Sequence, residues 1–291
     1  MLQAHLEKLV AFKAIAEAGS IRKASQAIGI AQPALTRSMK VLEDAVGARL
    51  FRRSVRGIVL TDEGERLLCY SCTVLKGAAD TQAQIQAAGD VIAGVLTVGT
   101  FASLSIYLWP KMLAHLRKVL PQLQIRLTTR EKDHVGDLGK GLLDLVVDAE
   151  PRPHANMVSI PLYRDKFNFY VSSRQKNPGD DFIFVAKSYD EDDKTIADHF
   201  HACGYRDFSS PYELDSFETV KALTIQGVGV GILPERVAAD ALDKGQLKLT
   251  TIKPFPASGF GRHKICATMR ADDRGDRRIS ALVKEMKLIL S

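Results

Sequence analysis

Ser20-Ile-Arg-Lys-Ala-Ser-Gln-Ala-Ile-Gly-Ile-Ala-Gln-Pro-Ala-Leu-Thr-Arg-Ser-Met-Lys-Val-Leu-Glu-Asp-Ala-Val46 reads as two short helices joined by a tight turn. Ser20 is a good N-cap, and Ile21, Ala24, Ala27 and Ile28 recur at spacings of three and four, which puts them on one buried face of a helix ending at Gly29. Pro33 suits the first position of the next helix, where its missing N–H costs nothing, and Gly47 can close that helix in a left-handed conformation. Leu35, Met39, Leu42 and Val46 form its apolar stripe. Gln32, Thr36, Arg37 and Lys40 are left facing outward, with side chains that suit base edges and phosphates.

Working outward, Leu6, Leu9, Val10, Phe12 and Ala16 are expected on the inner side of a first helix ending near Gly19, so that three helices share a small core. After Gly47, Leu50, Phe51, Val59 and Leu60 flank a basic stretch with Gly57 at its bend, which predicts a two-stranded wing. From it Arg52, Arg53 and Arg56 would reach flanking phosphates or a minor groove.

Charge follows the same division. The chain of 291 residues carries a net +6, and residues 1–60 hold ten Lys or Arg against four acids. The remaining 231 residues balance at 30 against 30, so the whole surplus available to a phosphate backbone sits in one fifth of the chain. A solvated basic surface would not need that segregation, and together with the two-helix spacing it points to DNA.

From Thr61 to about Gly89 there is no proline, and Leu68, Cys72, Leu75, Ala79 and Gln82 follow alternating steps of four and three, a coiled-coil-like seam. A helix of this length is expected to pair two copies and present two recognition helices together; folding back on its own partner domain is the alternative. Beyond it, strand-like segments at 95–99, 124–128 and 143–148 alternate with helix-like segments at 104–119 and 132–141. A second unit has strands near 166–171, 182–186, 211–214 and 228–233 and helices near 192–202 and 216–226, and the chain returns through 263–269 to a final helix at about 276–290. Crossing segments near 161–164 and 264–268 would join two hinged lobes. In open sheets of this kind a ligand sits beyond the carboxyl ends of the strands, where helix amino termini offer free N–H groups, which favours a small anion.

These residues carry a family resemblance. Leu9, Phe12, Ala18, Gly19, Ser20, Ala24, Ala27, Gln32, Pro33, Ala34, Leu35, Leu42, Glu43, Gly47, Leu50, Phe51, Arg53, Leu60, Thr61 and Gly64 fall where LysR-type transcriptional regulators have their characteristic amino-terminal residues. Ile21, Ser25 and Thr36 depart from the usual Phe, Ala and Ser with size and polarity roughly kept, which bears on the operator sequence preferred. Gly94-Val-Leu-Thr-Val-Gly99, Pro110 and Pro121, 141–148 and 220–234 resemble the family's effector domain.

The resemblance implies an α/β chain with a winged helix-turn-helix domain at 4–61, a linker helix and hinge at 62–90, and a two-lobed, periplasmic-binding-protein-like effector domain at 91–291. Lobe I would comprise 91–162 and 267–291, and lobe II 163–266. DNA contacts are expected from Ser20, Arg22, Gln32, Pro33, Ala34, Thr36, Arg37, Lys40, Arg52, Arg53 and Arg56. Thr100, Ser103, Thr129, Asp148 and Ser216 are expected to line the effector cavity. Hydroxyls can donate to a carboxylate without bringing a full charge, whereas Asp148, if it faces the cleft, argues for an amine or an amino acid. The implied partners are double-stranded operator DNA, a small-molecule effector, further copies of the chain and RNA polymerase. No cofactor is implied.

Other motifs carry less. Gly227, Gly229 and Gly231 miss the G-x-G-x-x-G spacing and follow a helix, so close packing of strand on helix is expected there. Cys69 and Cys72 lack a second ligand pair for a metal and suit the linker seam, while Cys203 and Cys266 leave a redox switch open as an alternative. The seven histidines are scattered, and His199-Ala-His201 is a weak metal spacing, so an enzyme is the reading of a different class with no motif behind it. No stretch reaches the 18 or so apolar residues of a membrane span, and the start Met-Leu-Gln-Ala-His lacks a basic region followed by an apolar run, which predicts a cytoplasmic protein.

Overall fold

The computed structural model describes residues 6–54, 57–86, 91–129, 133–149, 154–175, 181–184, 200–201, 212 and 214–290. Helices α1 (Leu6–Ala18), α2 (Ile21–Ile28) and α3 (Gln32–Val46) pack around Leu9, Phe12, Ile15, Ala24, Leu35 and Leu42. The Ser20 hydroxyl accepts the Lys23 N–H at 3.5 Å and caps α2, and Gly29 and Gly47 close α2 and α3 with φ of 69° and 75°. Such φ values cost an L side chain energy and glycine nothing. Helix α3 starts one residue earlier than expected, so Pro33 is its second residue, where an amide would still lack a helical acceptor.

Two residues assigned to the core by spacing lie outside it. Val10 is 46 % exposed and Ala27 is exposed, whereas Ala11 and Ile15 are buried. With Leu9 and Phe12 turned inward, the 100° step per residue rotates Val10 to the flank and brings Ile15 round. In the two-turn α2, Ala24 faces the core with Ile21 and Ile28 packed beside it.

Strands β1 (Phe51–Ser54) and β2 (Gly57–Leu60) form the predicted antiparallel wing, with Phe51 opposite Leu60 and Arg53 opposite Ile58. The Ile58 N–H donates to the Gly19 carbonyl at 3.1 Å and pins the wing to the α1–α2 turn. Glu43 on α3 accepts the Leu50 N–H at 2.8 Å and Arg49 Nη1 at 2.9 Å, tying wing to helix.

Helix α4 spans Asp62–Gln86, and the first part of its seam packs within the chain. Leu68 and Cys72 are buried and Leu75 half-buried in the amino-terminal core, with Leu142 of the following domain packed against the same cluster. Ala79 and Gln82 remain exposed. Lys76 pairs with Asp144 at 2.6 Å, and Cys69 Sγ donates to the Gly139 carbonyl at 4.0 Å. The first half of the helix therefore lies against its own chain, because three elements meeting at one junction bury more apolar surface than a solvated stripe.

The large domain is built on one mixed sheet. Strands β3 (Gly94–Thr100), β4 (Leu123–Thr128) and β5 (Leu145–Ala149) are parallel neighbours. The long strands β6 (Met157–Ser172) and β10 (Phe260–Arg270) run antiparallel and carry the sheet from one lobe to the other, with Lys264 opposite Arg164 and Ala267 opposite Ile160. Strands β7 (Phe182–Ile183), β8 (Val230–Pro234) and β9 (Leu247–Thr250) complete the order β4-β3-β5-β10-β6-β8-β7, with β9 paired to β6.

The helix expected over 104–119 is two, α5 (Ala102–Tyr107) and α6 (Trp109–Val119), since Pro110 has no N–H for the Ile106 carbonyl. Helix α7 (His134–Gly139) follows β4, and α8 (Phe217–Ile225), α9 (Glu235–Asp243) and α10 (Arg277–Leu290) complete the helices used below. The strand expected at 166–171 begins at Met157; of that expected at 182–186 Phe182 and Ile183 are strand, and of that expected at 211–214 Leu214 forms a bridge, with 185–186, 211 and 213 outside the described residues. The helix expected at 192–202 lies mostly outside the described residues; Phe200 and His201 are helical. Helix α9 and strand β9 are additions that the spacing argument did not supply.

In lobe I, Trp109, Met112 and Leu116 of α6 and Ile279, Leu282 and Met286 of α10 pack on Leu96, Val98, Leu145 and Val147. In lobe II an aromatic cluster of Phe169, Phe200, Phe255 and Phe260 fills one side, with ring centroids down to 4.5 Å apart, and Tyr170, Val220, Leu233 and Val237 fill the other. A Cβ at Gly231 would collide with the Thr224 hydroxyl of α8, which is the close strand-on-helix packing expected of that glycine run. No helix among the described residues is long and apolar enough to cross a membrane.

Candidate DNA interface and effector cleft

Along α3 the residues Gln32, Pro33, Ala34, Thr36, Arg37 and Lys40 are all exposed, opposite the buried Leu35, Met39 and Leu42. Gln32, Thr36 and Lys40 recur every four residues and so form one stripe. The Thr36 hydroxyl donates to the Gln32 carbonyl at 3.0 Å, leaving its lone pairs outward. Arg52 and Arg53 are exposed on β1, and Thr36, Lys40, Arg52 and Arg53 line one open groove of about 840 Å³ between α3 and the wing. Arg22 is exposed on α2, whereas Ser20 is half-buried and engaged as the cap. Arg56 lies outside the described residues. The helix and the wing thus present cations and hydrogen-bonding side chains to one side, the arrangement a phosphate-flanked groove requires.

The residues expected in the effector cavity separate into groups. Thr100 ends β3, is fully buried, and its hydroxyl has no hydrogen-bond partner among the described residues. Ser103 in the first turn of α5 is 8 % exposed, and Arg236 Nη2 donates to its hydroxyl at 3.3 Å. Arg236 stands in the first turn of α9 and also pairs with Asp165 on β6, so it bridges lobe I to lobe II. Ser103, Arg236 and Asp165 thus meet between the lobes. Asp148, half-buried on β5 opposite Cys266, accepts the Ala149 N–H at 2.5 Å. Thr129 is exposed just past β4, and Ser216 caps α8 by accepting the Glu218 N–H at 3.2 Å.

Around Arg236 the cleft holds residues the spacing argument did not select. Tyr163, Asp165 and Phe167 alternate along β6 and so share one face. His263 Nε2 lies 4.0 Å from the Asp165 carboxylate, and the Phe167 ring is 5.2 Å from His263 and 6.0 Å from Phe217. Burial pushes the Tyr163 phenol up to about 12 despite the nearby Arg236 guanidinium, which keeps it a neutral donor. Two signals were available: Pro234 followed by Val237, Ala238 and Ala241 is a helix start that places Arg236 in a first turn, and the alternation on β6 marks a half-buried strand.

A second bridge between the lobes runs through Tyr107 on α5. Its hydroxyl donates to Glu218 Oε2 at 2.6 Å and accepts from Lys221 Nζ, which also pairs with Glu218 at 3.3 Å and Asp240 at 3.2 Å. Burial and the Glu218 carboxylate raise the Tyr107 phenol far above its ordinary value.

Cys72 and Cys266 are buried and Cys69 half-buried, and desolvation raises the Cys72 thiol. Cys203 lies outside the described residues. No group of three or more potential ligands that could hold a metal occurs among the described residues.

Comparison with known proteins agrees with this arrangement. Residues 6–65 match the model of the bacterial regulatory helix-turn-helix protein, lysR family, and residues 89–288 match that of the LysR substrate binding domain. A probable hydrogen peroxide-inducible genes activator of Mycobacterium xenopi is 32 % identical over 166 residues, covering 57 % of this chain and 88 % of that protein. The regulator CfxR of Cupriavidus necator is 26 % identical over 261 residues, covering 86 % and 82 %. Full-length OxyR of Pseudomonas aeruginosa shares the fold with a TM-score of 0.67 at 22 % identity and 97 % coverage of both chains. ArgP of Mycobacterium tuberculosis does so with a TM-score of 0.68 at 18 % identity, covering 98 % and 96 %. Residues 66–88 lie between the two matches. The chain belongs to the LysR family: it is a DNA-binding transcription regulator with a two-lobed effector-binding domain, and not an enzyme.

Proposed function

We propose that residues 4–61 seat α3 in the major groove, with Gln32, Pro33, Ala34, Thr36, Arg37 and Lys40 along base edges and the adjoining phosphates. Ser20 and Arg22 contact the backbone at the start of α2, and Arg52, Arg53 and Arg56 hold flanking phosphates or a minor groove. The observation that carries this reading is the groove that Thr36, Lys40, Arg52 and Arg53 line, together with Glu43 and Asp44, on the lobe holding all of the chain's net charge. Residues 62–90 link this lobe to the effector domain at 91–291 and pair copies through their exposed later half, where Ala79 and Gln82 lie. Lobe I comprises 91–162 and 267–291, and lobe II 163–266.

The effector sits between the lobes against Thr100 and Ser103, with Thr129, Asp148 and Ser216 around the entrance. The lobes are already joined by Ser103–Arg236 and by Tyr107 with Glu218 and Lys221, so a ligand entering there alters those bridges. It shifts the lobe arrangement only as far as its affinity differs between arrangements, and the linked copies pass that shift to DNA spacing or bend. In the cytoplasm the bound regulator would then favour or hinder RNA polymerase. Footprinting on promoter regions beside its gene tests the reading, and the expected result is a protected patch spanning two half-sites. Absence of any protection would overturn it.

A second reading has one observation in its favour, the 32 % identity to a relative described as a probable hydrogen peroxide-inducible genes activator. It would make Cys203, with Cys266, the sensor. Operator affinity measured in peroxide and in dithiothreitol decides: a difference supports it, and equal affinity removes it.

A further inference from the structure

We infer that Arg236 is the hydrogen-bonding anchor of the cleft and that the effector is a monoanion presenting one carboxylate on a small apolar body; this rests on the cleft being the effector site. The Arg236 side chain is only 13 % exposed, yet not all of its five donors are served. Nη1 is taken by Asp165, Nη2 reaches the Ser103 hydroxyl at a long 3.3 Å, the Tyr163 hydroxyl is a further partner of the guanidinium, and Nε is buried with no hydrogen-bond partner among the described residues. The Thr100 hydroxyl, three residues before Ser103, is fully buried and equally without one. Buried donors left in this state are costly, so two of them at one cleft point to an absent acceptor. The Nε and Nη2 edge of a guanidinium matches a carboxylate in bidentate geometry, and the two hydroxyls supply further donors to the same oxygens.

Asp165 sets the charge. Its carboxylate is buried, accepts the Lys166 N–H at 2.8 Å, pairs with Arg236 and has His263 Nε2 at 4.0 Å. The guanidinium and this carboxylate already balance, so a ligand carboxylate is held by the donors left on the guanidinium edge and by the two hydroxyls rather than by surplus charge, and a second one would lie beside Asp165, where like charges repel strongly. The ligand body meets Phe167 and Phe217, whose rings are 6.0 Å apart, which favours an apolar tail over a second polar head.

Four probes of similar size separate the possibilities: butyrate, its neutral amide butyramide, the dianion succinate and the cation butylamine. Calorimetry on the full chain is expected to show saturable butyrate binding, with the other three weaker by about tenfold or more. Arg236→Lys keeps a cation for Asp165, so the chain stays folded, but it lacks the fork and should weaken butyrate by about tenfold. Asp165→Asn should narrow the gap between succinate and butyrate, a change that a purely structural Asp165–Arg236 pair would not produce. Equal binding of butyrate to wild type and Arg236→Lys, or of succinate and butyrate to wild type, overturns the inference. If Thr100→Val weakens any probe while Arg236→Lys weakens none, the anchor is wrong and the cleft reading stands. If none of the four binds wild type, both fall.

Discussion

The Lys76 ammonium of α4 lies 2.6 Å from the carboxylate of Asp144, whose other oxygen accepts the Thr97 N–H at 2.8 Å. Asp144 also donates its own N–H to the Thr97 carbonyl at 2.8 Å, so the linker helix is stitched to the strand that ends three residues later at Thr100. The end of β3 and the linker thus share one rigid element. Because the Asp144 side chain is nearly buried and Lys76 is partly exposed, removing either partner should cost about 1–3 kcal/mol of unfolding free energy. The measurement is a denaturation cycle of Lys76→Met, Asp144→Asn and the double variant. A coupling energy under about 0.5 kcal/mol would mean that the pair does not hold the junction.

On the DNA face, Arg37 and Arg53 are both exposed and occupy different elements, α3 and β1. Arg37→Ala should weaken operator binding by about 1–3 kcal/mol and relax sequence preference if, as proposed, α3 reads bases. Arg53→Ala should weaken specific and non-specific DNA alike and make the salt dependence shallower by about one unit in slope. Gel shifts across a salt series on operator and scrambled duplexes check both, and identical slopes for wild type and Arg53→Ala would remove the phosphate role.

Gly64 meets the wing at close quarters. Its N–H donates to the Thr61 hydroxyl at 3.0 Å, that hydroxyl donates to the Arg49 carbonyl at 2.7 Å, and a Cβ at position 64 would run into the Leu50 carbonyl oxygen. Backbone cannot swing aside as a flexible side chain can. Gly64→Ala is therefore expected to cost about 1–3 kcal/mol and to displace the wing from α3, lowering operator affinity as well as melting temperature. A variant with unchanged affinity and melting temperature would show that the contact relaxes freely.

The amino-terminal lobe could be read from its residues because its signals are local: Ser20, Gly29, Pro33 and Gly47 each fix a helix end by their own backbone chemistry. Val10 and Ala27 were misplaced because spacing sets a stripe only to within one residue of its edge. The linker seam was legible only in part. Leu68 and Cys72 have the right period, but which surface covers them depends on Leu142, some seventy residues on. The cleft was harder still, since Arg236 is 133 residues from Ser103 and 71 from Asp165 in sequence, and no spacing rule joins them.

Asp276 makes stability depend on acid. It precedes α10, accepts the Arg278 N–H at 2.8 Å and its Nη2 at 2.6 Å, and the Arg278 side chain is buried against it. Burial pushes the Asp276 carboxyl up, but the hydrogen bonds and charge of Arg278 outweigh it and hold the group below its ordinary value. A carboxyl lowered on folding contributes stability above its unfolded value near 4, and that contribution is lost as pH falls through the lower folded value. Asp276→Asn should cost about 1.5–3 kcal/mol at neutral pH and flatten the fall in stability below about pH 4. Urea denaturation at stepped pH measures this, and parallel curves for the two proteins would exclude the linkage.

Tyr107 tests whether the lobes are held shut by their own side chains. Its hydroxyl lies between Glu218 and Lys221 across the cleft, while Lys221 sits 4.5 Å above its ring and keeps separate pairs with Glu218 and Asp240. Tyr107→Phe retains the ring and those lobe II pairs, and removes only the hydrogen bonds that cross between lobes. The loss should be about 1 kcal/mol, too little to unfold the domain but enough to shift the lobe arrangement about fivefold toward separation. Hydrogen exchange should then quicken in α5 and the first turn of α8 while α6 and α10 in the lobe I core stay protected. Exchange that quickens evenly through both lobes would mean that Tyr107 supports folding as a whole, and unchanged exchange would mean that Ser103–Arg236 alone holds the cleft.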